Sequence, residues 1–457
     1  MLAHREISPS ELLEETIGRV HQINPAINAI ATIDEQRARA DARESERRQL
    51  AGNRLSPVDG LIITVKDNIF VRNMRTTWGS RLYENFVPEL DDIAVERLRA
   101  GGAIILGKTN TPEFALSAVT DNLVFGPTRN PWDLNCTPGG SSGGAAAAVA
   151  AGLSPLALAT DAGGSIRRPC SYTGTVGLKP SIGQVPRCHS FPATAFDLQT
   201  IGPIGRTVDD VAMMFDVIAG PDQRDRSTSN FQSGQRGQNP SAANKPLRIL
   251  YVPRIENQLV DLDIADSVAS AADTLRELGH HVEEGDLPVR LSDIDEIWST
   301  LTAAGCAHVV ADHTAWEQRV GPAALALVER GMGISATRYL RALQTLNDVR
   351  RRFVDFMKTT DVILTPSSPA LPWSINEAFP RFIGGQPATP RAAAAFATFV
   401  NVTGHPALAL PSSPAQSGLP IGFQLIGRFG EDRLLLDLGK EYELARPWAD
   451  RWPRLAL

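Results

Sequence analysis

Three polar residues in glycine-rich or strand-end settings have the types needed for covalent chemistry: Lys66 in ITVKDN, Ser141 in PGGSSGGAA and Ser165 in TDAGGSIRRP. A serine hydroxyl is a weak nucleophile until a base takes its proton, and a lysine made neutral by burial can be that base without any histidine. The glycines beside each serine let backbone approach a reacting carbonyl closely. They also supply conformations in which successive N–H groups converge on an oxyanion. The chemistry served by this combination is acyl transfer. Gly/Ser runs are equally a signature of flexible linkers. Here, however, each run borders an apolar or alanine-rich stretch, and the second carries Asp161 and the Arg167-Arg168 pair.

The elements that must position these residues alternate between helix and strand. Ser8-Pro9-Ser10-Glu11 is a capping box with proline at the first helical position, ahead of Leu12, Leu13, Ile17, Val20 and Ile23 at helical spacing. LIITV (61–65) reads as a strand that delivers Lys66 at its end, and DDIAVERLRAGG followed by AIILG reads as helix, glycine stop and strand. Side chains alternate along an extended segment, so Asp67 is expected to point away from Lys66. Burial away from carboxylates must then lower the lysine pKa from its usual value of about 10.4. Further on, Thr207-Val208-Asp209-Asp210 starts a helix to Ala219, LRILYV (247–252) is a strand, and ADSVASAADTLRELG is a helix ending at Gly279. VILTP, ALALP and IGFQLIG read as strands and EDRLLLDLGKEYEL as a helix. The polar stretch Asp222 to Lys245 reads as a loop or poorly ordered connection, residues 285–345 are helix-rich without a motif, and no internal repeat is present.

With 457 residues and 43% hydrophobic content the chain can bury a large core, and its net charge of −6, with no basic run longer than a few residues, gives no electrostatic footprint for a nucleic-acid partner, so none is expected. Cys136, Cys170, Cys188 and Cys306 lack metal-ligand spacing and are expected to stay reduced. No apolar stretch approaches the roughly 18 residues of a membrane span, and MLAHREISPSELL lacks the pattern of a signal peptide. A soluble cytoplasmic protein without membrane association is the expectation.

Two motifs match by letter and fail by context. Gly102 to Thr109 satisfies G-x-x-x-x-G-K-[ST], but a helix precedes it and the intervening AIIL is strand-like, whereas a phosphate cradle needs strand, loop and helix. Gly139-Gly140-Ser141-Ser142-Gly143 matches G-x-S-x-G, yet a turn-rich loop stands where a buried strand is required. His405 in TGHPA offers no triad partner signature and reads as structural.

Lys66, the GGSSGG run and DAGGSIRRP, with the two serines 24 residues apart, resemble the amidase signature family. INPAINA, GAIILGKTNTPEFA, TGTVGLKPS, GPIGRTVDD and NVTGHPALALP with GLPIGFQLIGR extend the resemblance over most of the chain, most weakly from about 222 to 350. The resemblance implies a single α/β domain over residues 1–457, with its core in 55–220 and 355–445 and a variable helical segment near 222–350. Its central sheet is expected to be mixed, mostly parallel and of roughly eleven strands, with helices on both sides. The resemblance also implies roles: Ser165 the nucleophile, Ser141 a bridging serine in a cis peptide and Lys66 the base. The N–H groups of Ala162, Gly163, Gly164 and Ser165 would form the oxyanion hole. Ser142, Asp161 and Arg167 are expected to support the site, and no metal or organic cofactor is implied. Position 162 is often larger in the family and position 170 often alanine.

The expected substrate is a small-molecule amide, of the aryl or alkyl acylamide kind, with carbamates (urethanes) and esters as side substrates. The alternative within the family is the A component of a glutamine-dependent tRNA amidotransferase, which works only in a complex. SIRRPCSYTGTVGLKPSIGQVPR looks more like the free-standing amidases and aryl acylamidases, and PSSPALPW (366–373) with AAAAFATFVN (392–401) are candidate pocket walls. Family members are often dimers, so a homodimer is one expected state.

Overall fold

The computed structural model describes residues 2, 5–231 and 245–456; residues 232–244, most of the polar connection, lie outside the described residues. The strands, in chain order, are β1 (Ile30–Ile33), β2 (Ile62–Lys66), β3 (Ile104–Thr109), β4 (Leu156–Asp161), β5 (Val176–Lys179), β6 (Thr200–Gly205), β7 (Arg248–Tyr251), β8 (His281–Glu284), β9 (Val362–Pro366), β10 (Phe382–Ile383), β11 (Gln386–Pro387), β12 (Ala407–Pro411) and β13 (Gly422–Gly427). Eleven of them form one sheet in the order β1-β3-β2-β4-β6-β5-β12-β13-β9-β7-β8, and β10 pairs with β11 alone. The large mixed sheet agrees with expectation; its mostly parallel character does not. Parallel pairing is confined to β3-β2-β4 and β9-β7-β8. The middle strands pair antiparallel, and the short connection from Pro411 to Gly422 makes β12 and β13 a hairpin.

Helices cover both faces: α1 (Pro9–Ile27), α2 (Glu35–Ala51), α3 (Ile93–Ala100), α4 (Gly143–Ala150), α5 (Arg167–Thr173), α6 (Val208–Ile218), α7 (Leu262–Glu277), α8 (Leu291–Val310), α9 (Pro322–Met332), α10 (Ala336–Phe356), α11 (Thr398–Thr403) and α12 (Asp432–Ala445). The capping box read from sequence at Ser8/Glu11 is formed on α1, and Thr207, read as a helix start, forms a second one with Asp210 on α6. Strand alternation divides the core. Ile63 and Val65 of β2, Leu158 of β4 and Leu408 of β12 pack with α6, α7 and α12, whereas Ala157, Ala159 and Ala409 pack against α4 and α5. The small residues of the second set have a cause in α4. A Cβ on Gly144 would sit 2.5 Å from the Asn110 backbone and 2.7 Å from the Ala29 carbonyl, so only glycine lets this helix lie so near the sheet. No helix among the described residues is long and apolar enough to cross a membrane.

Candidate active site

Lys66 ends β2 and is fully buried. Its Nζ donates to Ser141 Oγ at 2.7 Å and to Thr160 Oγ1 at 3.0 Å. Burial holds the ammonium pKa well below the ordinary lysine range, against the opposing pull of Asp161. The surroundings are therefore not free of carboxylates, as the sequence reading required; desolvation outweighs the one that acts. Asp67 does turn away, as alternation demands: its carboxylate accepts from the Thr77 N–H at 3.0 Å and lies 3.8 Å from Lys108 Nζ.

Ser141 lies in the turn leading into α4, after a cis Gly140–Ser141 peptide bond. Its Oγ donates to Ser165 Oγ at 3.0 Å, completing a continuous path Lys66–Ser141–Ser165. The Ser141 carbonyl is fixed by Thr111 Oγ1 at 3.0 Å, and the Ser142 side chain donates to the Thr160 carbonyl at 3.0 Å. The Ser142 N–H donates to the Ser165 carbonyl, so the two serine turns are tied to each other. Ser165 is 9% exposed and Ser141 1%, which leaves the third member of the path as the one open to a reactant.

The turn after β4 is shaped by Asp161. Its carboxylate accepts from the N–H groups of Gly164 (2.8 Å) and Ile166 (3.0 Å), and from Arg167 Nε and Nη2 at 3.1 and 3.0 Å. Burial alone would raise this carboxyl, but the Arg167 guanidinium and the backbone donors override it and hold it below the usual carboxylate range. Gly164 adopts φ +100°, open to glycine but strained for any other residue. One expectation needs correcting: the Gly164 N–H, one of four assigned to an oxyanion hole, is committed to Asp161, because the turn closes on that carboxylate. Arg167 in turn reaches Asn401 of α11, Gln424 of β13 (2.8 Å) and the Ala397 carbonyl (3.0 Å).

The structure thus brings Lys66, Ser141, Ser142, Asp161, Ser165 and Arg167 into one buried cluster. Sequence reasoning missed Thr160, Asn68 and Asn401. Asn68 Nδ2 donates to Thr160 Oγ1 at 3.0 Å, while Asn401 Nδ2 donates to the Asp161 carbonyl at 3.0 Å. Thr160 next to Asp161 and Asn68 two residues after Lys66 were the only available signals. The other motifs lie elsewhere. Lys108 is a buried strand residue bonded to the Ile69 carbonyl and Thr76, its pKa pushed down to about 8 by burial. His405 is buried against Phe353 with its pKa lowered to about 4 by desolvation, and all four cysteines are free thiols. Of the proposed pocket walls, Phe396, Phe399 and Val400 belong to the core, while Ala397 packs on Gly164.

A model of the amidase family matches residues 11–436 of the chain. The chain belongs to the amidase family. Its amidase relatives include the A component of the glutamyl-tRNA(Gln) amidotransferase of Roseiflexus castenholzii, 36% identical over all of this chain and 96% of that protein. An acylamidase of Rhodococcus erythropolis is 33% identical over 99% of this chain and 95% of its own. Among solved amidase structures, a bacterial aryl acylamidase of the amidase signature family superimposes with a TM-score of 0.88 at 27% identity, covering 98% of this chain and 95% of that one.

Proposed function

We propose that this amidase-family hydrolase cleaves the C–N bond of carboxylic amides through an acyl-enzyme on Ser165. Neutral Lys66 takes the Ser141 proton while Ser141 takes that of Ser165, whose oxygen attacks the carbonyl. For this step the two hydroxyls turn round, Ser165 donating to Ser141 and Ser141 to the lysine lone pair, while Thr160 Oγ1, which also accepts from Asn68, keeps one N–H of the amine. The N–H groups of Ala162, Gly163 and Ser165 remain to face the oxyanion. The relay then returns the proton to the leaving amine, and water entering by the same route hydrolyses the ester. The observation that carries this reading is the unbroken 2.7 Å and 3.0 Å path from a buried lysine to the more exposed of two serines.

A free-standing hydrolase of aryl and alkyl acylamides is the favoured member, with carbamates and esters accepted because their carbonyl chemistry is shared; the acylamidase relative and the acylamidase-like neighbour support it. The second reading, the A component of a glutamine-dependent amidotransferase, is favoured by the identity to the Roseiflexus protein. In the test, the purified single chain is given a nitroacetanilide, a urethane and glutamine. Nitroaniline release, abolished by Ser165→Ala, is expected; ammonia from glutamine only with added partner proteins would replace the first reading by the second, and full activity in Ser165→Ala would remove Ser165 from the mechanism.

A further inference from the structure

Arg168, next to the arginine that Asp161 absorbs, has no counter-ion within ion-pair distance among the described residues. It is 5% exposed, and its buried Nε has no hydrogen-bond partner. Among the described residues its guanidinium bonds only the Gly163 carbonyl, through Nη2 at 3.1 Å, and no carboxylate lies within ion-pair distance. The Tyr172 hydroxyl is engaged with Ser368 at 2.7 Å. A guanidinium cannot shed its proton inside a protein, so this is a permanent positive charge taken out of water and left unpaired, which proteins seldom tolerate.

Its position says what would pair with it. Nη2 lies 3.3 Å from where a Cβ on Gly164 would stand, so the guanidinium packs on the turn that carries Ser165. The Trp298 ring covers Gly163, at 2.9 Å from where its Cβ would be, and Arg391 sits 5.4 Å above that ring. Arg391 already has Asp295 at 2.7 Å, whereas Arg168 has no carboxylate partner among the described residues. A positive field therefore borders the reacting turn on the side of Gly163, with one of its two cations unneutralised.

We propose that Arg168 is a specificity-determining residue that receives a carboxylate of the substrate, making amides that bear a carboxylate the preferred class. This rests on Ser165 being the nucleophile. A planar carboxylate fits the fork of a guanidinium, and the vacant Nε edge is one of the pair of donors such recognition uses.

The test compares kcat/KM of the purified chain on two matched pairs: succinic acid mono-4-nitroanilide against butyric 4-nitroanilide, and 4-acetamidobenzoate against acetanilide. The first pair places the charge on the acyl part, the second on the amine. For one pair the charged amide is expected to be better by about 30-fold or more. Arg168→Met should bring the ratio of kcat/KM on charged to neutral amide close to one, over and above any loss common to both substrates from removing the bond to the Gly163 carbonyl, and Arg168→Lys should restore part of that ratio. Equal rates within both pairs, or an equal loss on charged and neutral substrates in Arg168→Met, would overturn the assignment. Should the variant fail to fold, the wild type decides: succinate or benzoate must inhibit more strongly than butyramide or benzamide, and equal inhibition overturns it. Labelling of Ser165 by a fluorophosphonate separates the two levels. Labelled protein without a charge preference defeats Arg168 alone; unlabelled protein defeats the nucleophile and this inference with it.

Discussion

At the scale of the residue, Lys66 is a buried amine that the fold keeps from being charged, and the sign of its pH dependence follows. Its folded pKa lies below the unfolded one, so between the two the unfolded chain binds the extra proton and stability rises with pH. Below that window the full cost of burying the amine is in place. Activity needs the neutral form, so kcat/KM should climb with pH through the lowered pKa. Lys66→Met should cost on the order of 10⁴-fold in kcat/KM or more, with a melting temperature at mildly acid pH equal to or above that of the wild type, because the replaced group was destabilising there. A pH-independent rate in the wild type, or a Lys66→Met variant that melts far lower, would contradict this account.

At the scale of the element, the site depends on how the turn between β4 and α5 is held from the far end of the chain. Arg167 leaves the first turn of α5, pairs with Asp161 and is gripped by Asn401 of α11 and Gln424 of β13. Replacing it by methionine strands a buried carboxylate, a change that typically costs about 3–5 kcal/mol. Denaturant unfolding at neutral pH should show a loss of that order. The Asp161 carboxyl has a depressed pKa in the folded wild type, so its contribution is present above the ordinary carboxylate range and is lost as pH falls through the folded value. In Arg167→Met the carboxyl protonates more readily, and the gap to wild type should narrow below about pH 4. A gap that stays constant with pH would mean that Arg167 acts by packing alone.

At the scale of the whole molecule, the chain does not build its sheet from one edge to the other. β12 and β13, close to the C-terminus, lie between β5 and β9, and so join the block that carries Lys66, Ser141 and Ser165 to the block of β9, β7 and β8. Most core residues of β12 and β13 are fully buried, as are Phe396 and Phe399 just ahead of them. A chain ending at Pro387 keeps every proposed catalytic residue and loses the strands that join the two blocks. It should show no cooperative thermal transition by circular dichroism; a sharp transition, with labelling of Ser165 retained, would show that the N-terminal block folds alone. The same truncation removes Asn401 and Gln424, the far-end partners of Arg167 at the Ser165 turn.

What the sequence determined by itself were the features written in dihedral preference and short spacing. The capping boxes at Ser8 and Thr207, the strand that ends at Lys66, the opposite aim of Asp67 and the failure of the Gly102–Thr109 motif all depend on neighbours a few residues away. Tertiary structure alone decided the rest. Thr160 reaches Lys66 across 94 residues, and Arg167 meets Asn401 and Gln424 across 234 and 257. The antiparallel centre of the sheet, the loss of the Gly164 N–H to Asp161 and the unpaired charge of Arg168 belong with them. Such meetings depend on which strands adjoin and in what register, and this is fixed by burying the common core, not by any local pattern.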